Sequence, residues 1–283
     1  MTSSPGSGKL WSFFGWTFLI SWSLWLMAIG SGTTISQPAA FFPYLLGGFG
    51  PTITALLLIS RETDYDVRRS LRKRAATARG ISLAGWGLIV LFPLVLLLVS
   101  IVADMVPLGA IPPLPLLQEI RRQPLLVASL LSFQFIFGPV SEELGWRGYA
   151  QEHLEGRFGS LQANVILGTV WAVWHIPLFF IPGTVQSSWP IGSMAFWLYM
   201  LSYIPQAFIY AWLLRVSQRS ILAVILLHFH LNIMHSLAGT LSIRAEGVRL
   251  FMTILIALFL VLTTRAKQIP APESSADRIS PVS

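Results

Sequence analysis

Residues 10–60 contain no aspartate, glutamate, lysine or arginine. A water-soluble domain uses about a quarter charged residues, so a run of this length points to lipid as its solvent. Further apolar runs follow, and the chain as a whole is 11% charged with a mean hydropathy of +0.67. Inside a bilayer the backbone must satisfy its own hydrogen bonds, which leaves helices and closed barrels as spanning structures. The alternation of barrel strands is absent, and the runs have the ~20-residue length that a helix needs to cross ~30 Å of hydrocarbon. The expectation is an all-α polytopic membrane bundle of about eight transmembrane helices.

The spans read from the sequence are 10–29, 41–60, 81–103, 125–149, 161–181, 192–214, 221–237 and 250–264. Short connections predict one bundle over 10–264 with no second domain. It is preceded by a cytoplasmic N-terminus, 1–9, and followed by a disordered cytoplasmic tail, 265–283. The start is not read as a signal peptide, because the first apolar run is too long and too aromatic. Segment 61–79 holds Arg61, Arg68, Arg69, Arg72, Lys73, Arg74 and Arg79 against Glu62, Asp64 and Asp66. Such an excess of cations belongs on the cytoplasmic side. Eight spans then place both termini in the cytoplasm of a multi-pass cell-membrane protein. The net charge of +7 thereby reports topology rather than a nucleic-acid partner. Segment 104–124, with Pro107, Pro112, Pro113 and Pro115, is expected to be an irregular external loop. Gly47, Gly48, Gly50 and Pro51 mark close packing or a kink in the second span. No cysteine is present, which excludes disulfides, thiolate metal sites and a cysteine nucleophile.

Against this background "SEELGWRGYA", residues 141–150, stands out. Charged side chains in a span cost roughly 2.5–3.5 kcal/mol each on insertion scales and persist when paired, functional or facing a polar cavity. On a helix Glu143 and Arg147 are four apart and pair on one face, while Glu142 is rotated by about 100° and free to face another neighbour. Two more segments carry intramembrane polar groups: "WAVWHIPLFF" with His175, and "LLHFHLNIMH" with His228 and Asn232 one turn apart. Counted from the cytoplasmic ends of their spans, Glu142, His175, His228 and Asn232 fall in one layer, expected to open towards the cytoplasm.

The chemistry follows from the inventory. A carboxylate in a low-dielectric cavity suits a general base acting on water, and a histidine beside it positions that water. His228 and Asn232 donate to an oxyanion, where preorganised donors contribute several kcal/mol. Arg147 keeps Glu143 ionised and orients the pair. The set suits amide hydrolysis without a covalent intermediate. His230 is read as packing, and His235 as packing or as support one layer outward from His228. His153 is read as solvated. The tryptophans are read mostly as interface anchors, with Trp146 and Trp171 walling the cavity or packing.

The three segments resemble the signatures of the CAAX-processing and bacteriocin-processing (CPBP) family of intramembrane endopeptidases, related to the Ras-converting enzyme. Glu142-Glu143-Leu-Gly-Trp-Arg147 is similar to its EExxxR motif, Trp171 to His175 to its second motif, and His228 to Asn232 to HxxxN. The likeness covers roughly 132–235, with a protease core expected at about 125–237. It implies an eight-helix bundle whose glutamate activates water: Glu142 the base, Glu143 and Arg147 in support, His175 positioning water, His228 and Asn232 forming the oxyanion site. Eukaryotic members of that family cut prenylated CAAX tails. The implied partners are the bilayer and a peptide or protein substrate that is lipidated or membrane-associated.

Zinc is the candidate ion, and Glu142, His175 and His228 would be its ligands. Asn232 is a poor zinc ligand and a good oxyanion donor, and no two histidines sit i, i+4, so hydrolysis is expected not to require metal. Other intramembrane hydrolases leave marks that are missing: no HExxH, no paired intramembrane aspartates, no serine nucleophile paired with a membrane histidine. Two non-enzyme readings remain open to test. One is a proton-coupled transporter with Glu142, His175 and His228 as a relay. The other is a catalytically silent immunity or scaffold protein.

Overall fold

The computed structural model describes residues 7–61 and 65–266, and among these there are helices and turns but no strand. The polar start before Ser7, Glu62, Asp64 and the tail 267–283 lie outside the described residues. In chain order the helices are α1 (Ser7–Gly30), α2 (Pro38–Gly48), α3 (Gly50–Ser60), α4 (Tyr65–Ala76), α5 (Leu83–Leu108), α6 (Pro115–Arg122) and α7 (Pro124–Phe135). The π turn Ile136–Val140, α8 (Ser141–Gly145) and a second π turn Trp146–Ala150 then lead into α9 (Gln151–Trp174). After two 3₁₀ turns come α10 (Met194–Val216), α11 (Ile221–Ala238) and α12 (Ile243–Ala266).

All eight expected spans fall on helical segments. Among the described residues five helices are long and apolar enough to cross a membrane, six if the bent pair α2–α3 is one span. One of the five, Val127–Phe180, has 54 residues. Straight, it would be ~81 Å long, far beyond the ~30 Å of a bilayer core. It is instead a hairpin. Gly159 takes φ 73° and ψ 167° inside α9, a conformation open to glycine and strained for other residues. The arms fold back so far that Trp171 hydrogen-bonds Glu142, although a straight helix would hold those residues about 43 Å apart. The fourth and fifth spans are therefore the two arms of this hairpin.

The glycines of the second span serve both readings. The chain bends by 47° between α2 and α3, and a Cβ on Gly47 would lie 2.4 Å from the Trp25 indole nitrogen. Trp25 itself donates to the Tyr44 carbonyl at 2.9 Å just before the bend. On the facing helix a Cβ on Gly145 would lie 2.4 Å from the Pro51 backbone carbon, so α8 rests directly on α3.

Three segments depart from expectation. α12 starts at Ile243, seven residues before the expected eighth span, and extends past Thr264 to Ala266. Segment 104–124 is partly regular, because α5 runs on to Leu108 and α6 fills Pro115–Arg122. The fifth span ends as α-helix at Trp174, since Pro177 cannot donate to the next turn and the chain tightens into 3₁₀ at Ile176–Phe180. Within 61–79, the cationic segment forms the amphipathic α4, whose Leu71 is buried while Arg69, Arg72 and Lys73 are exposed. α4 is tied to the hairpin by a bidentate Arg74–Glu152 pair, and Arg219 adds a contact to Glu155 at 2.8 Å.

Candidate functional site

The motif segment is pinched between two π turns. Pro139 sits in the first and lacks the N–H that would continue a regular ladder, and π turns of this kind recur at functional sites. Between them, Glu142 and Glu143 point to different neighbours, as their rotation predicts.

Glu143 and Arg147 are both fully buried. Arg147 Nη1 lies 3.1 Å from Glu143 Oε1 and 3.0 Å from Oε2. The guanidinium is clamped between aromatic faces, 4.0 Å from the Trp171 ring centre and 4.4 Å from that of Tyr210. Glu143 has a second partner that its spacing alone did not reveal: His228 Nδ1 donates to Oε1 at 2.7 Å. The carboxylate thus links α8 to α11 and fixes the ring of His228, leaving its Nε2 for other contacts.

Glu142 accepts a 2.7 Å hydrogen bond on Oε2 from the Trp171 indole, which leaves Oε1 facing the cavity. A buried indole N–H needs a partner, and this one finds the motif carboxylate. His175, one turn on, donates from Nδ1 to the Trp171 carbonyl at 2.8 Å. A carbonyl only accepts, so Nδ1 carries the hydrogen and Nε2 is left as an acceptor. Tyr203 stacks on this ring, centroids 4.6 Å apart, and bonds Tyr199, whose hydroxyl accepts from Gln186. Asn232 comes close to the motif helix at Gly138, where a Cβ would lie 3.1 Å from its amide nitrogen.

Glu142, His175, His228 and Asn232 line one cavity of about 470 Å³, so the structure gathers them as one layer. Glu143 and Arg147 sit behind it. Beyond the layer the lining continues to Ile35, Gly183, Gln186, Trp189 and Glu246. These lie at the ends of spans opposite α4, whereas buried Arg147, Tyr210 and Leu71 close the other side.

Other readings are refined too. His230 donates to the Ile89 carbonyl at 2.8 Å, a packing role as expected. His153 is half-buried, stacked on Tyr149 and bonded to its carbonyl at 2.8 Å, so it is not a solvated side chain. Of the tryptophans, Trp25, Trp146, Trp171 and Trp174 are buried in the bundle rather than anchored at an interface. Trp171 lines the cavity; Trp146 packs against Phe13 and Trp174. The α10 residues Tyr199, Tyr203 and Tyr210 went unread. Their 4- and 7-residue spacing puts them on one face, and that face was the available signal.

The grouping suited to a metal also shifts. Among the described residues Glu142, Glu143 and His228 each bring a ligand atom within 4.8 Å of the others; Glu143 stands where His175 was expected. The fit to zinc is poor. Glu143 Oε1 is already held by His228 Nδ1 and Arg147, and an ion on this carboxylate would sit beside a guanidinium.

Residues 124–234 match the family described as Rce1-like, Type II CAAX prenyl endopeptidase Rce1-like. The chain is also 25% identical over 221 residues to CAAX prenyl protease 2 of Methanococcus maripaludis, an alignment covering 77% of this chain and 80% of that protein. Both findings support a place for this multi-pass membrane chain among the CPBP and Rce1-related endopeptidases, and with it a peptidase hydrolase.

Proposed function

We propose that the protein hydrolyses a peptide bond of a membrane-associated, lipidated substrate by water activated at Glu142. The observation that carries this reading is the pair of free acceptors facing one cavity: Glu142 Oε1, set by the Trp171 bond to Oε2, and His175 Nε2, set by the Nδ1 bond to the Trp171 carbonyl. A water between them can be held by both. It attacks the peptide carbonyl carbon and gives one proton to Glu142. The oxyanion that forms receives the Asn232 amide N–H and a proton-bearing Nε2 of His228, with Glu143 balancing the imidazolium. The carbon–nitrogen bond then breaks, and the protonated Glu142 delivers its proton to the leaving amine. Arg147 touches no reacting atom; it fixes Glu143 and through it His228.

A prenylated substrate is favoured by the name of the archaeal relative and by the cavity walls. Tyr44 and Leu45 of α2 and Phe133 and Phe137 of α7 and its π turn supply apolar lining on the same cavity as the polar layer. The test compares peptide termini in membranes that hold wild-type protein and Glu142→Ala. Termini that appear only with wild type support the reading, and identical sets of termini sink it. A proton relay through Glu142, His175 and His228 has less support, because His175 Nδ1 and His228 Nδ1 point away from each other to Trp171 and Glu143.

A further inference from the structure

The hydrolytic layer leaves one charged cluster of the same cavity without a role. His235 of α11 and Glu246 and Arg249 of α12 line it beyond Asn232. Arg249 Nη1 donates to His235 Nδ1 at 2.5 Å and to the Glu246 carboxylate at 3.3 and 3.4 Å. Neither Nη2 nor Nε has a protein partner among the described residues, and neither is an enclosed unsatisfied atom. The side chain keeps 19% of its exposure, and it lines this cavity. Asp104, the nearby acid of α5, is committed to the backbone N–H and hydroxyl of Ser242, so it does not compete.

An arginine inside a span is costly unless it faces a polar cavity and has a partner. Here Glu246 supplies the partner on one nitrogen, and the remaining edge of the fork is offered to the cavity. A guanidinium edge matches a carboxylate in two parallel hydrogen bonds. Position gives the scale. Seven residues of helix separate His228 from His235, about 10.5 Å. An extended peptide advances about 3.3 Å per residue, so a chain whose scissile carbonyl sits at His228 and Asn232 brings its third residue onward to Arg249.

We propose that Arg249 is a carboxylate subsite, reading the free C-terminus of the substrate about three residues beyond the bond that is cut; this rests on the peptidase reading above. Glu246 holds the guanidinium in place and shares it when the peptide arrives. His235 fixes its position from α11.

The probe is an S-farnesylated peptide with three residues after the modified cysteine, prepared as free acid and as C-terminal amide. Binding is measured with Glu142→Gln protein, which is expected to leave the peptide intact, and cleavage with otherwise wild-type protein. The acid should bind at least tenfold more tightly than the amide. Changing Arg249→Gln together with Glu246→Gln removes both charges at once, so the fold loses no lone buried ion. That pair should abolish the preference while leaving amide binding unchanged. Glu246→Gln alone should tighten acid binding, and Arg249→Lys should retain part of the preference. In cleavage assays the Arg249 effect should fall on KM rather than kcat. Equal binding of acid and amide, no binding of either, or a preference that survives the double change overturns the subsite. If the preference behaves as described while wild type cuts neither peptide, the peptidase reading fails and the carboxylate subsite stands.

Discussion

Glu143→Gln isolates what the buried pair contributes. Glu143 and Arg147 are both shielded from solvent, 3.0 Å apart, and the guanidinium is held between Trp171 and Tyr210, so it cannot swing to water. Removing one partner of a buried pair costs about 3–5 kcal/mol, because the other charge is left uncompensated. Glutamine still offers one oxygen to Arg147 Nη1, which sets the loss near the low end, about 3 kcal/mol. At ~2–4 °C per kcal/mol for chains approaching this size, the midpoint of thermal unfolding should fall by roughly 6–12 °C. The change is readable from tryptophan fluorescence in detergent, because Trp171 and Trp146 are buried beside the pair. Adding Arg147→Met should recover much of the loss, since it removes the orphaned charge and keeps most of the volume. A midpoint unchanged by Glu143→Gln, or losses that simply add in the double variant, would refute the argument that burial makes this pair cohesive.

Gly145→Ala should lower stability by about 1–3 kcal/mol, because its Cβ would meet the Pro51 backbone, which cannot rotate away as a side chain would; an unfolding midpoint equal to wild type would show that α3 and α8 are not in the described contact. Reporters fused after Ser60 and after Thr264 should both read cytoplasmic, as the cations of 61–79 require; either one reading outside would refute the eight-span topology. Protein dialysed against a chelator should keep its hydrolytic rate, because Glu143 and His228 are already committed to each other; activity lost with stoichiometric zinc and restored by zinc would contradict this.

The fold class was readable because lipid leaves the backbone few solutions and the apolar runs have the length of a span. The candidate layer was readable because intramembrane Glu142, His175, His228 and Asn232 are each costly in isolation. What escaped lay between segments. The bond from His228 to Glu143 joins residues 85 apart in sequence, and the Trp171 bond to Glu142 depends on a hairpin set by the backbone of Gly159. Span counting placed the polar layer but not the cavity above it, because the lining beyond Asn232 comes from connections and from the extended start of α12. Arg249 falls one residue before the expected eighth span, 250–264, for the same reason. Asp104, the first residue of the expected irregular loop, instead accepts from Ser242, the residue just before α12.

The central claim is that Glu142 is the base that activates water. Its direct measurement is the rate of peptide cleavage by purified protein in liposomes, read by mass spectrometry, for wild type, Glu142→Gln, His175→Ala and the double variant. Glutamine keeps the size of the side chain and an oxygen for the Trp171 indole, but removes basicity. Loss of a general base costs typically 10²–10⁴ in rate, so Glu142→Gln should fall by that factor with peptide binding retained. His175→Ala should fall similarly, and the double variant little further, because residues acting as a unit are not additive. Cleavage by Glu142→Gln at the wild-type rate would remove this carboxylate from the chemistry.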